Sequence, residues 1–340
     1  MSKVKVGIVN VTGYAGMEIA RLLCGHPQAE IAYVTGRSAA GQRLGTLLPH
    51  LSGLDLTIEE EPGQADVVFL ALPHRESAAQ AINQLGKNTR VIDISADFRL
   101  KDASLYPEWY GFDHPAPELL GEAAYGLPEL YRRQITGARL IANPGCYPTA
   151  AILALAPAAA AGIIKESIII DAKSGLSGAG RTLSLKSHFC EANENASAYA
   201  LEGHRHLPEI EQELKIAGKS DDLRVSFVPH LIPVNRGILA SCYAELAEGV
   251  SQAEVDELYR DFYAREPFVR ITDSPPLLNS VRGSNYCLVF PKIDRRANRL
   301  IAISAIDNLV KGAAGQAIQN MNLMFGLEEK TGLDLPALYP

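Results

Sequence analysis

The segment that most constrains the fold is a glycine turn between a short apolar run and a helical pattern near the start of the chain. Residues 3–9 (KVKVGIV) are Val-rich, as expected of a strand, and apolar residues recur at helical spacing after the turn NVTGYAG. Strand, glycine turn and helix in this order form the setting of a dinucleotide-binding fingerprint. The sequence therefore predicts an α/β fold that opens with a Rossmann-type, doubly wound domain.

The turn supplies the first candidate cofactor residues. Gly13 would let the backbone approach a pyrophosphate, and Gly16 would allow the helix to pack tightly on the strand, with phosphates at the helix N-terminus. Ordinary turns also contain glycines, so a purely structural turn is the alternative. The candidate contacts here are Gly7, Thr12, Gly13, Tyr14 and Gly16.

The end of the second predicted strand, residues 30–34, indicates which nucleotide is bound. An NAD site usually has an acidic residue there, but this chain reads Thr-Gly-Arg-Ser. The guanidinium of Arg37 and the hydroxyl of Ser38 suit a 2′-phosphate, so we expect NADP. A solvated loop arginine is the alternative.

Two continuous apolar runs, residues 66–72 and 89–94, are typical of strands covered on both faces of a parallel sheet. Pro73 follows the first run, and Arg99 lies shortly after the second. Ligands bind at the carboxyl ends of such strands, so Pro73 is a candidate cofactor contact and Arg99 a candidate anion contact. A salt bridge from Arg99 to a neighbouring aspartate is the alternative.

Cys146 lies in the motif NPGCYPT (residues 143–149), just before an apolar run at 149–161 that predicts a buried helix. A thiol at a helix N-terminus faces backbone N–H groups and the positive end of the helix dipole. Both favour the thiolate, so Cys146 is a candidate nucleophile, although many free cysteines only pack. We interpret the other cysteines as packing residues: Cys24, Cys190, Cys242 and Cys287.

Two further motifs carry polar groups. The segment at residues 173–181, which we predict to be a loop, offers a cradle for a phosphate or carboxylate, with a flexible surface loop as the alternative. In Gly-His-Arg-His (203–206), no further ligand cluster supports a metal pair, so an acid/base histidine is expected. Spacing does not decide between the two imidazoles. The candidates are Lys173, Ser174, Ser177, Gly178, Arg181, His204, Arg205 and His206.

The second half predicts an α+β domain with a mixed sheet, and the helical stripe at 307–325 predicts a return to the first domain. We therefore expect an NADP-binding domain at 1–145 plus 307–340, and a catalytic and oligomerisation domain at 146–306. A net charge of −7 with scattered cations gives no indication of a nucleic-acid or membrane partner. Five scattered cysteines and no secretory cleavage pattern predict a cytoplasmic protein.

With these motifs in this order, the chain resembles the N-acetyl-γ-glutamyl-phosphate reductase family over nearly its whole length. Asn10 departs from the glycine usual in that family. Asparagine tolerates left-handed backbone, so we expect the turn to survive with weaker pyrophosphate contact or cofactor affinity. The resemblance rests on the glycine turn, DISADFR (93–99), AYGLPE (124–129), NPGCYPT, Lys-Ser-Gly (173–175), Gly-His-Arg-His and DNLVKGAAGQ (307–316).

The resemblance implies that Cys146 attacks an acyl phosphate to form a thioester, which NADPH reduces to an aldehyde in arginine biosynthesis. His204 or His206 would move protons, and the family favours His204. Asn308 would touch the nicotinamide, and Ser177 and Gly178 would also bind the cofactor. Cations and Ser174 would hold the phosphate and carboxylate, and a homodimer or homotetramer is implied. The cations are Arg99, Lys173, Arg181 and Arg205.

Three alternatives stay open from sequence. A lysine-pathway reductase of an aminoadipyl phosphate differs by one methylene in pocket depth. Aspartate-semialdehyde dehydrogenase shares the thiol–histidine chemistry but differs in sequence around both groups. A non-catalytic NADP-binding sensor on the same fold would bind nucleotide and be indifferent to Cys146→Ser.

Overall fold

The computed structural model describes residues 2–340, which form two compact units. The first unit contains residues up to 144 together with 313–335, and the second contains 145–312 with 336–340. Within the described residues, no helix has the length and apolar character needed to span a membrane.

The first unit alternates strands and helices, the pattern that produces a parallel sheet. Its elements are β1 (Val4–Val9), α1 (Tyr14–Cys24), β2 (Ala29–Thr35), α2 (Leu44–Leu47), β3 (Ile58–Glu59), β4 (Val67–Leu70), α3 (Glu76–Gly86), β5 (Arg90–Asp93), α4 (Leu105–Tyr110), β6 (Ala124–Tyr125), α5 (Pro128–Gly137) and β7 (Leu140–Ala142).

Seven strands of the first unit form one parallel sheet in the order β3-β2-β1-β4-β5-β7-β6. Strand order reverses direction between β1 and β4, the place where open α/β sheets bind ligands. All four residues of β4 are buried, as expected of a strand covered on both faces. The Rossmann-type fold predicted from the sequence is confirmed.

The second unit contains the mixed sheet that the sequence predicted, in the order β12-β13-β14-β11-β8-β10-β9. β8 pairs in parallel with β10 and antiparallel with β11. Its elements are α6 (Cys146–Ala160), β8 (Ile164–Gly175), α7 (Phe189–Ala192), β9 (Ser197–Ala198), α8 (Leu207–Gly218), β10 (Arg224–Ile232), β11 (Ile238–Leu246), α9 (Gln252–Phe262), β12 (Val269–Ile271), β13 (Cys287–Asp294) and β14 (Arg299–Ile306).

Helix α6 is buried on every side, which its Ala- and Leu-rich sequence permits. Pro157 lies inside it and has no N–H for the carbonyl of Leu153, four residues earlier. Tyr263 replaces that donor, because its hydroxyl donates to the Leu153 carbonyl at 2.7 Å. The helix therefore runs unbroken from Cys146, and its first residue is fixed by the core behind it.

The structure corrects two interpretations. Lys173 and Ser174 belong to the end of β8 and not to a loop, because β8 extends to Gly175 before a short 3₁₀ turn at Leu176–Ala179. Cys242 and Cys287 are buried as expected, whereas Cys24 and Cys190 are exposed and do not serve as packing residues.

The predicted last helix begins as a π-turn at Val310–Ala314 and continues as α10 (Gly315–Met324).

Candidate active site

The first unit contains a cavity of about 510 Å³ at the carboxyl ends of β1 to β4. We call it the first-unit cavity. Four predicted cofactor residues, Thr12, Arg37, Ser38 and Pro73, contribute to its wall. The full lining is Val9, Asn10, Thr12, Thr35, Gly36, Arg37, Ser38, Glu60, Glu61, Pro62, Leu72, Pro73, Glu76 and Gln80.

Asn10 replaces the expected glycine without breaking the turn after β1. Its φ of 67° is the left-handed conformation that asparagine tolerates. Its side-chain amide donates to the Ala71 carbonyl at 2.8 Å, which ties the turn to the end of β4. A Cβ on Gly16 would collide with the Asn10 carbonyl, so Gly16 is needed for the close approach of α1 to the turn.

The remaining predicted residues of the turn have other surroundings. Gly7 lies inside β1, where its missing side chain makes room for the ring of Tyr33. Gly13 is the N-cap of α1, and Tyr14, the first residue of that helix, is 38 % exposed. None of these three lines the first-unit cavity.

The charged groups of the first-unit cavity suit a nucleotide with one anionic end. Arg37 forms an ion pair with Glu76 at 3.0 Å, but its side chain is 74 % exposed. An ion pair this exposed is worth at most about 1 kcal/mol, so a phosphate can displace it. The Ser38 hydroxyl lines the same cavity and can donate to that phosphate. Glu60 and Glu61 also line the cavity, and their negative charges limit where a phosphate can lie.

Arg99 is buried in the first unit and ties together the ends of two adjacent strands. Its Nε donates to the carbonyl of Asn143 and its Nη2 to the carbonyl of Ile94, both at 2.8 Å. Ile94 follows β5 and Asn143 follows β7. This arrangement gives Arg99 a structural role, and its contact with a substrate anion stays a prediction.

In the second unit, Cys146 is the first residue of α6, and Gly145 is the N-cap. The Gly145 N–H donates at 2.8 Å to Glu209, a fully buried carboxylate on α8, which fixes the turn before the thiol. Cys146 is partly exposed. The predicted placement of Cys146 at a helix N-terminus is thus what the structure shows.

Five rings gather around Tyr147, the residue that follows Cys146, and we call them the ring cluster: Tyr147, Tyr199, His204, His206 and Phe227. The two histidine rings lie 4.8 Å apart between centroids, and the ring of His204 lies 5.7 Å from Tyr147 and 5.3 Å from Phe227. The Gly-His-Arg-His motif therefore brings both imidazoles to the residue that follows the thiol in the chain.

The backbone distinguishes the two imidazoles. The His206 N–H donates to Nδ1 of His204 at 3.1 Å, so the neutral His204 ring carries its proton on Nε2. Burial, more than the charge of Arg205, lowers the pKa of His204 to about 4. At neutral pH His204 is therefore an uncharged ring that offers an Nε2–H group.

The tyrosines of the ring cluster do not offer a proton in the same way. Tyr199 donates its hydroxyl to that of Tyr147, and Tyr147 donates to the carbonyl of His230, both at 3.2 Å. Burial, more than the charge of Cys146, raises the pKa of Tyr199 to about 12. Both phenols stay protonated with their protons engaged, so the Nε2–H of His204 is the better donor to a reacting oxygen here.

A second group of predicted residues meets at the end of β8. Asn308 donates from its amide to Ser177 Oγ at 3.0 Å and accepts from the Gly237 N–H at 2.7 Å. A Cβ on Gly178 would lie 3.0 Å from Ser174 Oγ and 3.8 Å from the Asn308 amide. Asn308, predicted from a distant segment, is thus a neighbour of Ser174, Ser177 and Gly178, which were predicted from the segment 173–181.

The predicted cations of the second unit differ in their surroundings. Lys173 forms an ion pair with Asp171 at 2.9 Å. Arg181 and Arg205 are exposed, and the charge of Arg205 reaches His204. Across residues 2–340, no three His, Cys, Asp or Glu side chains are grouped to hold a metal ion.

Sequence reasoning missed the residues that hold the thiol in place. Glu209 directly follows Pro208 in the first turn of α8, a position from which a glutamate can accept backbone N–H groups. Asp307 is buried and accepts from the N–H groups of Leu309 and Val310 at 2.8 and 3.1 Å. Asp307 and Gly312 belong to the motif at 307–316, but nothing in that motif indicates that Gly312 lies next to Cys146.

Comparison with known proteins agrees with both units. The family model described as semialdehyde dehydrogenase, NAD binding domain, matches residues 5–138, and the semialdehyde dehydrogenase dimerisation domain matches 146–308. Two solved structures share the fold over 96 and 95 % of this chain and 99 % of theirs. They are aspartate semialdehyde dehydrogenase II of Vibrio cholerae (TM-score 0.74, 18 % identity) and the Candida albicans enzyme with NADP (TM-score 0.69, 17 % identity).

Sequence relatives are much closer. The N-acetyl-gamma-glutamyl-phosphate reductase of Dehalococcoides mccartyi is 58 % identical over 341 residues, covering 100 % of both chains. Identity of this degree over the whole length shows the family and its oxidoreductase class. The chain belongs to the N-acetyl-γ-glutamyl-phosphate reductase family of the semialdehyde dehydrogenases.

Proposed function

We propose that the protein reduces N-acetyl-γ-glutamyl phosphate to N-acetylglutamate 5-semialdehyde, with NADPH as reductant and a thioester on Cys146 as intermediate. The observation that carries this proposal is the position of Cys146 as first residue of α6, followed in the chain by Tyr147, whose ring packs on the His204 imidazole with its Nε2–H group. The full-length relatives named as this reductase support the substrate. We assign the reaction to arginine biosynthesis.

The chemistry begins with the thiolate of Cys146. It attacks the γ-acyl carbon, the S–C bond forms, the C–O bond to phosphate breaks, and inorganic phosphate leaves. NADPH, when bound, supplies a hydride to the thioester carbonyl. The resulting hemithioacetal releases the aldehyde and regenerates the thiolate. One proton is consumed overall, together with one hydride.

His204 is the residue that we assign to the oxygen of the reacting carbonyl. Its Nε2–H would donate a hydrogen bond to the oxyanion of each tetrahedral intermediate and keep its proton, because the ring is already neutral. The proton consumed overall goes to the leaving phosphate, and the hemithioacetal alkoxide collapses directly to aldehyde and thiolate. His206 would act mainly through its backbone N–H, which holds the His204 tautomer. Backbone N–H groups at the start of α6 are further donors for the same oxyanion.

The nucleotide would be held by two sets of residues. We assign the 2′-phosphate to Arg37 and Ser38 of the first-unit cavity, where Thr12 and Pro73 also lie. We assign the nicotinamide end to Asn308, Ser177 and Gly178, which are neighbours in the second unit. Gly7, Gly13, Tyr14 and Gly16 shape the turn between β1 and α1 and would act through its backbone.

The substrate carries two anionic groups, its phosphate and its α-carboxylate, and cations are needed for both. Lys173, Arg181 and Arg205 of the second unit, with Ser174, are our candidates, and Arg99 is the candidate of the first unit. Lys173 is the best supported of these. It lies near the end of β8, and its ion pair with Asp171 is partly exposed on both sides, so a substrate anion can reach the ammonium group.

We also propose that the protein assembles as a homodimer or homotetramer through residues 146–306, with residues 1–145 and 307–340 forming the cofactor domain. The second unit carries large exposed apolar side chains, among them Leu183, Leu185 and Phe189 at 97, 74 and 74 % exposure. A second copy would cover such a surface. Light scattering that finds a monomer at micromolar concentration would contradict this assembly.

The test is a side-by-side assay of N-acetyl-γ-glutamyl phosphate and the corresponding aminoadipyl phosphate, with NADPH, on the wild type and Cys146→Ser. We expect turnover of the acetylglutamyl substrate, about 10-fold or more preference over the longer one, and no turnover by Cys146→Ser with nucleotide affinity retained. Preference for the longer substrate would assign a lysine-pathway reaction. Nucleotide binding without any turnover would indicate a sensor.

A further inference from the structure

Arg75 has a backbone conformation that non-glycine residues avoid. Its φ is 71° and its ψ −39°, at the N-cap of α3. Such strain persists only where the surroundings hold it, and it is concentrated at functional sites. The position of Arg75, between cavity-lining residues on both sides, makes this conformation informative.

The group that holds Arg75 is the carboxylate of Asp97. Both oxygens of Asp97 accept from the Arg75 N–H, at 2.9 and 2.8 Å, and one of them also accepts from the Ala78 N–H at 2.9 Å. Asp97 is fully buried. Its backbone is anchored in turn, since Tyr106 donates to its carbonyl at 2.6 Å and Ser95 Oγ accepts from its N–H at 3.1 Å.

The segment that Asp97 fixes forms one wall of the first-unit cavity. Leu72 and Pro73 line the cavity before Arg75, and Glu76, the ion-pair partner of Arg37, lines it directly after. A change of φ at Arg75 from the left-handed to the ordinary region would redirect the chain between these residues. The shape of the wall therefore depends on the hydrogen bonds to Asp97.

We propose that Asp97 is a positioning residue for nucleotide binding: its buried carboxylate holds Arg75 in the left-handed conformation and thereby sets the wall formed by Leu72, Pro73 and Glu76. Asp97 does not touch the cavity, since it is absent from the lining. The inference rests on the proposed function in one respect, that the first-unit cavity takes the nucleotide.

The test measures nucleotide binding directly, by fluorescence titration of NADPH and NADH with the full-length protein. Asp97→Asn places an N–H group against the backbone N–H groups, so we expect both nucleotides to bind at least 10-fold more weakly. The rate at which iodoacetamide alkylates Cys146 should stay within twofold. Asp102→Asn is the matched control, because Asp102 is an exposed aspartate whose side chain accepts from the N–H and the hydroxyl of Ser104. The nucleotide affinity of this variant should equal that of the wild type.

A second pair of variants separates positioning from general stability. Glycine adopts a positive φ readily. The double variant Asp97→Asn with Arg75→Gly should therefore bind both nucleotides at least threefold more tightly than Asp97→Asn alone. Proline cannot adopt a positive φ and has no N–H, so Arg75→Pro should weaken both nucleotides with Asp97 intact, although proline is otherwise tolerated at a helix start.

Each outcome is decisive. Wild-type affinity in Asp97→Asn or in Arg75→Pro would overturn the positioning role, as would a double variant that binds no better than Asp97→Asn. If Asp97→Asn does not fold, the Arg75→Pro result decides alone. A wild type that binds neither nucleotide would instead overturn the proposed function, and this inference with it.

Discussion

Gly312 leaves no room for a side chain beside Cys146. A Cβ placed on Gly312 would lie 2.8 Å from the Cβ of Cys146 and 3.2 Å from its Cα. The segment around Gly312 begins as a π-turn at Val310–Ala314, and Asp307 holds its start through the N–H groups of Leu309 and Val310. Isolated π-turns are frequent at functional sites. Here the turn presses its glycine against the residue that carries the reactive sulfur.

The first prediction concerns this contact. Gly312→Ala should lower kcat by about 10- to 100-fold, because displacement of a reacting atom by a fraction of an ångström to 1 Å has effects of this size. Affinity for NADPH should change less than twofold. Steady-state kinetics and nucleotide titration give both values. Gly137→Ala is the control, since a Cβ there meets nothing within 4 Å; wild-type kcat in Gly312→Ala would show that the contact is unimportant.

The second prediction concerns nucleotide choice. Arg37→Ala should raise the KM for NADPH by about 10-fold or more and leave that for NADH nearly unchanged, because only NADPH has a 2′-phosphate to form charge-assisted hydrogen bonds. Glu76→Gln is the companion variant, since Glu76 is the present partner of Arg37. Equal weakening of both nucleotides in Arg37→Ala would remove Arg37 from the choice between them.

The third prediction separates the two histidines. His204→Asn should lower kcat/KM by about 100-fold or more, the usual contribution of a positioned donor to a developing oxyanion. His206→Asn should cost less, because its backbone N–H still orients His204. Because the pKa of His204 is lowered to about 4, its ring stays neutral between pH 7 and pH 5.5. Protonation of His204 should therefore cause no fall in the kcat/KM of the wild type over this range. A larger loss in His206→Asn would reverse the assignment.

The fourth prediction is a dependence of stability on pH. The pKa of His204 is about 4 in the folded protein and 6.5 in the unfolded chain. Between these values the unfolded chain binds more protons, so this residue makes stability fall as pH falls from 6.5 towards 4. Asp93 acts in the opposite direction, because burial and then the charge of Asp97 raise its pKa.

Comparing the wild type with His204→Asn isolates the histidine. The urea midpoint of the wild type should fall more than that of His204→Asn between pH 7 and pH 5, because only the wild type contains His204. Asp93 is present in both proteins, so its effect cancels in the comparison. Parallel changes in the two midpoints would mean that His204 titrates normally in the folded protein.

The fold was predictable because its strands and helices have strong local patterns. The continuous apolar run that became β4 and the glycine turn after β1 each indicate one structure on local grounds. Short strands were missed for the opposite reason. Ala124–Tyr125 and Val269–Ile271 are only two and three residues long, and only pairing with distant strands gives them their extended conformation.

The site was predictable in its reactive groups and not in the groups that support them. Cys146 and the two histidines stand out because few side chains have their chemistry. Glu209, Asp307 and Gly312 act by holding backbone in place, and their roles depend on contacts with residues far away in sequence. The role of Asp97 likewise depends on Arg75, 22 residues earlier.

The most direct test of the central claim is rapid-quench mass spectrometry of the wild type mixed with N-acetyl-γ-glutamyl phosphate in the absence of nucleotide. We expect one acyl group per chain, on the tryptic peptide that contains Cys146, within the time of a single turnover. No adduct on that peptide, in a sample that turns over normally once NADPH is added, would contradict covalent catalysis by Cys146.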